Sequence, residues 1–357
     1  MRINLKKAFF TEKEFVLVES DNMKATAFKF STGVEALRVE NSKGNFVILP
    51  FQGQQIWDAE FCGKRLTMKS MFDEPLPNVE YMKTYGGFLL HCGICAFGVP
   101  QASDTHELHG ELPNAEYREA YIECNEEYIA VGGHMYYDKT FDRNYTFSPE
   151  CRLYKEDSVI KIHINIENRR NEPMEYMYLC HINFRPFDGA RLVCSADYSH
   201  KEFMVYKNIS ENTPEEKANH LRKYMEEIEK NPQIHHIIGA EGQTYDPEIC
   251  MSVKYSGDKK RRAYTLQCID DGACYVSHPV DVLPYAIRWI SRRGEDDAMG
   301  MVLPATAEHL GYMNAKKNGQ IKVLGAKEKL GFMLEVGYIQ KIETAEVIEK
   351  INAIIGD

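Results

Sequence analysis

The sequence predicts an all-β protein, a sandwich or a barrel, to which two helices are added. Short segments rich in β-branched and aromatic residues recur along the 357-residue chain, and Gly, Pro, Asn and Asp separate them. Several segments alternate apolar and polar residues with the period of two that half-buried strands show. No glycine-rich phosphate loop follows a strand, so the pattern does not indicate a nucleotide-binding β-α-β fold.

The clearest alternation lies in the segment VIKIHINIEN, where the even-numbered isoleucines from Ile160 to Ile166 share one face. The opposite face is polar, from Lys161 to Glu167, so one side of this strand is buried and the other is solvated. Strands are predicted on similar grounds over residues 46–51, 121–131, 158–167, 174–183, 249–255, 263–269 and 331–340.

The pattern of residues 213–231 predicts a helix inserted between strands. Thr213 is the expected N-cap, Pro214 takes the first helical position, and acidic residues follow in the first turn. Leu221 and Met225 belong to an apolar stripe at helical spacing, which we expect to pack on the body of the protein.

A second, C-terminal helix is predicted over residues 344–355, where Val347, Ile351 and other apolar residues form a stripe.

The content of hydrophobic residues, 44%, is sufficient for a real core. The chain is therefore interpreted as one large domain over residues 36–357, preceded by a small strand-rich extension over residues 1–35.

The charge distribution favours a small-molecule ligand. The formal net charge is −10, and acidic and basic residues are interspersed. The longest basic cluster, Lys259–Arg262, lies in a polar stretch typical of a solvated hairpin tip. Nucleic acids and anionic membranes need a basic face, so neither is expected as a partner. A homodimer is compatible with these features.

The location expected from the sequence is cytoplasmic. The N-terminal segment has no apolar run of signal-peptide length, and no stretch approaches the ~20 apolar residues that cross a bilayer. Ten cysteines occur mostly singly in apolar, strand-like contexts. We expect them to be reduced and buried.

The densest group of functional residue types lies in residues 86–113, which hold three histidines, five glycines and two prolines. A long, irregular segment in a β protein is more often a binding loop than a connector. His106 and His109 have i, i+3 spacing, but Gly110 ends any helix there, so a zinc site is a weak alternative. Cys92 and Cys95 have redox-motif spacing without the β-α context, which favours structural burial.

A second group lies in residues 176–191, where a strand ends in His181-Ile-Asn183-Phe. Because side chains alternate along a strand, His181 and Asn183 share one face. Trp289, beside Arg288, is a further candidate because aromatic faces cover the C–H surfaces of sugars. Core packing is an equally good interpretation of Trp289.

Several motifs resemble the aldose 1-epimerase (galactose mutarotase) superfamily, in an uncharacterised bacterial branch. "ELHGELPNAEY" is similar to a Leu-His-Gly…Pro signature, and a "CG…G.P" run precedes it. "YLCHINF" resembles the branch's Tyr-x-x-His-Ile-Asn-Phe strand, and "INIENRRNEPM" resembles the stretch before it. The similarity covers about residues 33–339.

The resemblance implies a large antiparallel β-sandwich that binds a sugar on a concave sheet face. It implies an isomerase of carbohydrate metabolism that opens the sugar ring by acid–base catalysis, without a metal or organic cofactor. By carry-over, His181 would be the acid and His109 would orient the sugar hydroxyls. His106 and Asn183 would be further contacts to a carbohydrate partner.

The base expected from the resemblance is missing. The family's glutamate stands in a Gly-x-Glu-Pro-Ala-Thr-like segment, and Leu303 takes its place here. Glu308 and Glu335 are possible substitutes. The family's arginine also has no clear match; Arg118 and Arg185 are candidates, and Arg288 is a third from its place beside Trp289.

Three functions therefore compete. The first is an active sugar mutarotase or related epimerase. The second is a non-catalytic sugar-binding or sensing protein on the same fold, because leucine cannot accept a proton. The third is a metal-dependent isomerase or lyase with His106, His109 and His181 as ligands.

Overall fold

Two antiparallel sheets face each other across the main apolar core of the computed structural model, which describes residues 1–77, 80–198, 203–239 and 245–356. The first eleven strands are β1 (Arg2–Asn4), β2 (Phe15–Ser20), β3 (Met23–Lys29), β4 (Glu35–Asn41), β5 (Gly44–Ile48), β6 (Ile56–Phe61), β7 (Lys64–Arg65), β8 (Leu89–Ile94), β9 (Glu119–Cys124), β10 (Tyr128–Asp138) and β11 (Asn144–Tyr154). The others are β12 (Val159–Asn168), β13 (Met174–Ile182), β14 (Arg191–Cys194), β15 (Phe203–Tyr206), β16 (Ile249–Lys254), β17 (Arg262–Ile269), β18 (Gly272–Pro279), β19 (Tyr285–Arg292), β20 (Asp297–Ala305), β21 (Lys322–Leu324) and β22 (Lys329–Gln340).

The nine-stranded sheet has the order β1-β9-β10-β11-β12-β22-β18-β17-β14. The thirteen-stranded sheet follows the order β15-β16-β19-β20-β13-β8-β6-β5-β4-β3-β2, with β21 paired to β13 and β7 paired to β6. Strands that are distant in sequence are therefore neighbours, as in a sandwich and unlike a simple meander. The predicted all-β sandwich is confirmed.

Alternation along β13 determines which side chains face outward. Tyr178 and Cys180 enter the core between the sheets, whereas Met177 and Leu179 pack in a separate apolar cluster. Because side chains alternate along a strand, His181, two residues after Leu179, points to the same side as Met177 and Leu179. We call the face that carries Met177, Leu179 and His181 the outer face of the thirteen-stranded sheet.

The predicted inserted helix is present as α1 (Glu215–Lys230), between β15 and β16. Its buried residues include Leu221, Met225 and Ile228, as the stripe predicts. The N-terminus differs from the prediction: Pro214 occupies the N-cap position, where no side chain caps the helix. Thr213 therefore lies one residue too early to be the cap.

The C-terminal helix α3 (Lys341–Gly356) begins earlier than predicted because it follows β22 without a loop. Val347 and Ile351 pack on the nine-stranded sheet, where they join an apolar cluster with strand residues. A helix of seven residues, α2 (Gly311–Lys317), was not predicted. It is too short to show helical periodicity in sequence.

Within the described ranges, none of the helices combines the length and apolar character that a bilayer crossing requires.

One segment predicted as a single strand forms two strands in the structure. Residues 121–131 form two strands, β9 and β10, because Asn125 Oδ1 accepts hydrogen bonds from the backbone N–H groups of Glu127 and Tyr128 and closes a turn. Residues 1–35 contribute β1 to one sheet and β2 and β3 to the other, so they are built into the sandwich. A boundary at residue 36 stays a prediction.

The core contains histidines that the fold keeps neutral. His91 and His278 have no exposed surface, and burial lowers the pKa of each to about 3. In the unfolded chain a histidine titrates near ~6.5. Below that pH the unfolded state binds protons that the folded state cannot, so acidification destabilises the fold.

We predict that the free energy of unfolding is insensitive to these groups above about pH 6.5 and falls below it by about 1.4 kcal/mol per pH unit for each histidine. Urea denaturation between pH 7.5 and pH 5 measures the slope. The variant His278→Gln should lose one histidine's share of that slope. An unchanged slope in this variant would contradict the assignment.

Candidate active site

His181 lies at the end of β13 on the outer face of the thirteen-stranded sheet. Its side chain is buried, with 5% of the residue exposed. The Nδ1 atom is 2.8 Å from Asn183 Oδ1. The strand brings the two together because residues i and i+2 point to the same side. The predicted pairing of His181 with Asn183 is therefore present.

The neighbours of Asn183 define the tautomer of His181. Asn183 Nδ2 donates to the carbonyl of Gly87 over 2.9 Å, and a carbonyl can only accept, so the amide orientation is determined. Asn183 Oδ1 then accepts from the Tyr85 hydroxyl over 3.0 Å and from His181 Nδ1–H. The proton of the neutral imidazole is on Nδ1. Its Nε2 carries a lone pair and makes no hydrogen bond to any described residue.

His109 reaches the same place from the loop between β8 and β9. The centroids of its ring and the His181 ring are 5.2 Å apart, with the planes at 89°. Its backbone has φ of +61°, a conformation in which histidine is enriched among non-glycine residues. The Nδ1 atom is buried and has no hydrogen-bond partner among the described residues. The two histidines predicted to meet do meet.

A third imidazole, His309, was missed by the sequence interpretation. Its Nε2 lies 3.4 Å from Cys250 Sγ, and its ring packs edge-on against Tyr206 with centroids 4.3 Å apart. The loop that carries His109 joins it, since Val99 N donates to the His309 carbonyl over 2.8 Å. The available signal was its position just after the segment in which the base was sought. We call His109, His181 and His309 the imidazole cluster.

Burial keeps the imidazole cluster neutral near pH 7. Burial lowers the pKa of His181 to about 4, which the Asn183 hydrogen bond partly opposes. Burial lowers the pKa of His309 to about 4 as well, against the attraction of Glu308. For His109, burial and then repulsion from the other histidines lower the pKa well below its usual range. The cluster therefore offers neutral nitrogens that can donate or accept a proton.

Aromatic side chains surround the cluster. Trp289 lies 5.7 Å from the His181 ring and Tyr85 lies 5.8 Å from it, between centroids. Tyr81 packs 4.9 Å from His109. The Trp289 Nε1–H donates to Glu248 Oε2 over 2.6 Å, which orients the indole. These faces could cover the apolar side of a sugar ring.

Leu303 is the residue that the resemblance aligns with the missing base. Leu179 pairs with Ala305 across β13 and β20, and Leu303, two residues before Ala305, lies on the same outer face. Leu303 belongs to the outer-face apolar cluster and is 2% exposed. The side chain at this position of β20 is therefore packed and apolar, and it cannot accept a proton.

The two substitute carboxylates differ in position. Glu308 precedes His309 and accepts hydrogen bonds from Tyr206 and Gln320, so it lies beside the imidazole cluster. Glu335 lies on β22 of the other sheet, where it accepts a bond from Tyr275 over 2.9 Å. It is paired with Lys161, on the polar side of β12. Glu335 was wrongly predicted as a base, because this face points away from the thirteen-stranded sheet.

The three candidate arginines lie outside the imidazole cluster. Arg288 is 1% exposed and faces the core, where its Nη2 is 3.6 Å from Cys194 Sγ. Since Trp289 faces outward, its neighbour on the strand must face inward. Arg118 is exposed before β9 of the other sheet. Arg185 Nε donates to the backbone of Thr67 over 3.3 Å.

His106 faces a cavity that His109 does not line. It lines a separate cavity of about 490 Å³ with Glu111 and Arg143, and its Nε2 is 3.6 Å from Asp104 Oδ2. Within the parts of the chain that the structure describes, no group of three His, Cys, Asp or Glu side chains could hold a metal ion. The proposed ligand set of His106, His109 and His181 is not assembled.

The cysteines of the Cys92-x-x-Cys95 spacing are unpaired thiols. Burial raises the pKa of both, so neither is an activated thiolate. Cys250 is also protonated, because burial raises its pKa, and its S–H can donate to His309.

Solved structures of similar fold carry carbohydrate-enzyme names. A protein of Klebsiella pneumoniae subsp. pneumoniae MGH 78578, provisionally named an aldose 1-epimerase, matches with a TM-score of 0.81 at 16% identity, over 97% of this chain and 92% of that one. A galactose mutarotase-like protein of Clostridium acetobutylicum matches with a TM-score of 0.61 at 13% identity, over 90% and 100%. A galactose mutarotase-like protein of Lactobacillus casei ATCC 334 gives 0.54 at 13%, over 85% and 100%.

These identities are low enough that the likeness shows the fold alone. No curated protein sequence matches the chain significantly. A family model described as a domain of unknown function, DUF4432, matches residues 31–337, close to the span over which the motifs resemble the superfamily. The chain therefore belongs to the DUF4432 family and has the galactose-mutarotase-like sandwich fold.

Proposed function

We propose that this protein interconverts the anomers of a reducing sugar, an aldose, at the imidazole cluster. The observation that carries the proposal is the tautomer of His181: Nδ1–H is bonded to Asn183, and Nε2 is left as a free proton acceptor. The fold of the solved mutarotase-like proteins supports a carbohydrate as the ligand.

In the first step, His181 Nε2 would take the proton of the C1 hydroxyl. The electron pair of that O–H bond forms the aldehyde carbonyl, and the bond between C1 and the ring oxygen breaks. The ring oxygen receives a proton as it leaves. This reverses the role that the resemblance gave to His181, because a neutral imidazole with a bare Nε2 accepts a proton first.

The proton can return through the same nitrogen. Both oxygens are attached to C1, so the imidazolium formed on His181 lies within reach of the ring oxygen. A low pKa makes that imidazolium a good proton donor, and the step restores the neutral imidazole. Rotation about the C1–C2 bond and closure on the other carbonyl face give the second anomer. Net protonation is unchanged.

The remaining groups would hold the sugar. His109, whose ring contacts that of His181, would bond a hydroxyl beside C1. The Tyr85 and Trp289 rings would cover C–H surface. Glu308 lies near His309 and would stabilise positive charge on that side of the cluster.

Leu303 favours a second candidate function, a sugar-binding protein without turnover. The leucine is packed and apolar, so it contributes no proton transfer. Saturable sugar binding with no acceleration of anomer exchange, in wild-type protein, would support this candidate over the first.

Catalysis should depend on the His181 imidazole. Wild-type protein should accelerate anomer exchange of at least one aldose in two-dimensional NMR exchange spectra. The variant His181→Gln should lose about 10²–10⁴-fold of that acceleration, because general acid–base catalysis contributes this much. Glu335→Gln is the control and should keep full activity. Equal rates for His181→Gln and wild type would contradict the assignment.

The activity should depend on pH through the protonation of His181. Because burial lowers the pKa of His181 to about 4, Nε2 stays free from neutral pH down to about pH 5 and becomes protonated below pH 4. Activity should therefore be flat near neutrality and fall with a midpoint near pH 4. Near-UV circular dichroism at each pH separates this loss from unfolding. A midpoint near the ordinary histidine value of about 6.5 would show that the imidazole is not buried as described.

A further inference from the structure

A second cavity adjoins the imidazole cluster. It has a volume of about 290 Å³, and Tyr85 and Trp289, whose rings contact His181, form part of its wall. A ligand at His181 that extends past the edges of these two rings would reach this space. We call it the apolar cavity.

Apolar side chains make up much of the wall. They come from the segment between β7 and β8 and from the segment that precedes and includes α1. They are Met68, Met71, Phe72, Met82, Ile209 and Leu221. Methionine adapts its shape to irregular apolar partners. Met71 and Met82 remain 63% and 59% exposed, which is unusual for such large apolar side chains beside a polar site.

Several polar groups on the wall already bond to other groups of the chain. Glu248 accepts from Trp289 over 2.6 Å, and Arg293 donates to Asp296 over 3.0 Å. Ser291 Oγ donates to the carbonyl of Pro247, also over 2.6 Å. A sugar hydroxyl placed against the apolar part of the wall would find no partner there, and an unbonded hydroxyl is costly to bury.

The helical insertion explains where one wall comes from. Leu221 of α1 is 1% exposed and faces the apolar cavity, and Ile209 lies before the helix. The insertion thus forms part of the wall of the apolar cavity.

We propose that the substrate is a reducing sugar that carries an apolar alkyl or aryl substituent, and that this substituent occupies the apolar cavity. This inference rests on the proposed function, since it places the anomeric carbon at His181. The cavity supplies specificity, because apolar contact with the substituent is gained only by the substituted sugar.

The test compares glucose with its mono-O-benzyl ethers at positions 2, 3, 4 and 6. Anomer exchange by NMR gives kcat/KM, and saturation-transfer NMR on the benzyl protons reports binding independently. At least one ether should exceed glucose by about tenfold, as differences of apolar groups in enzyme pockets do. The double variant Met71→Ser, Met82→Ser should abolish that preference and weaken the benzyl signal.

Met313→Ser is the matched control. Met313 is 43% exposed and lines the separate cavity with His106, so this variant should keep the preference. If no sugar is turned over but the benzyl signal depends on Met71 and Met82, the proposed function fails and the cavity assignment stands. If glucose is turned over as fast as every ether, or the double variant keeps the preference, the cavity assignment is overturned. Absence of any benzyl signal would overturn it as well.

Discussion

The hydrogen bond from His181 Nδ1–H to Asn183 Oδ1 determines what the imidazole cluster can do. It holds the proton of a neutral imidazole on the nitrogen that faces the protein and leaves a lone pair on the nitrogen that faces the site. Asn183 can act in this way because Gly87 and Tyr85 determine the orientation of its amide. Without this chain of bonds, either tautomer would be available.

The fold builds this arrangement from strand periodicity and from loops that cross the outer face. The strand β13 supplies His181, the long β8–β9 loop supplies His109, and the turn after β20 supplies His309. The two loops are tied together by the bond from Val99 N to the His309 carbonyl. Desolvation then lowers all three pKa values, so that proximity does not set like charges against each other.

Strand periodicity made part of the site predictable. The i, i+2 spacing placed His181 and Asn183 on one face, and both the β12 alternation and the two helices are confirmed. The same rule should have excluded Arg288 once Trp289 was chosen, since neighbours on a strand face opposite ways.

Other contacts could not be predicted from the sequence because they depend on how distant segments pack. Nothing in the spacing places His309 beside Cys250, or Tyr85 over His181, because these pairs are joined only by the tertiary fold. Glu335 looked equivalent to Glu308 in sequence, yet Glu308 lies in the turn after β20, whereas Glu335 lies on β22 of the other sheet. The tautomer of His181 became visible only in the hydrogen bonds.

The most direct test is a crystal structure of the protein with a reducing sugar bound. We expect the anomeric oxygen to lie within about 2.6–3.2 Å of His181 Nε2, the distance of a hydrogen bond that can transfer a proton. The ring should lie against Tyr85 or Trp289. A sugar bound in the separate cavity that His106, Glu111 and Arg143 line, with His181 Nε2 facing only water, would contradict the assignment of His181.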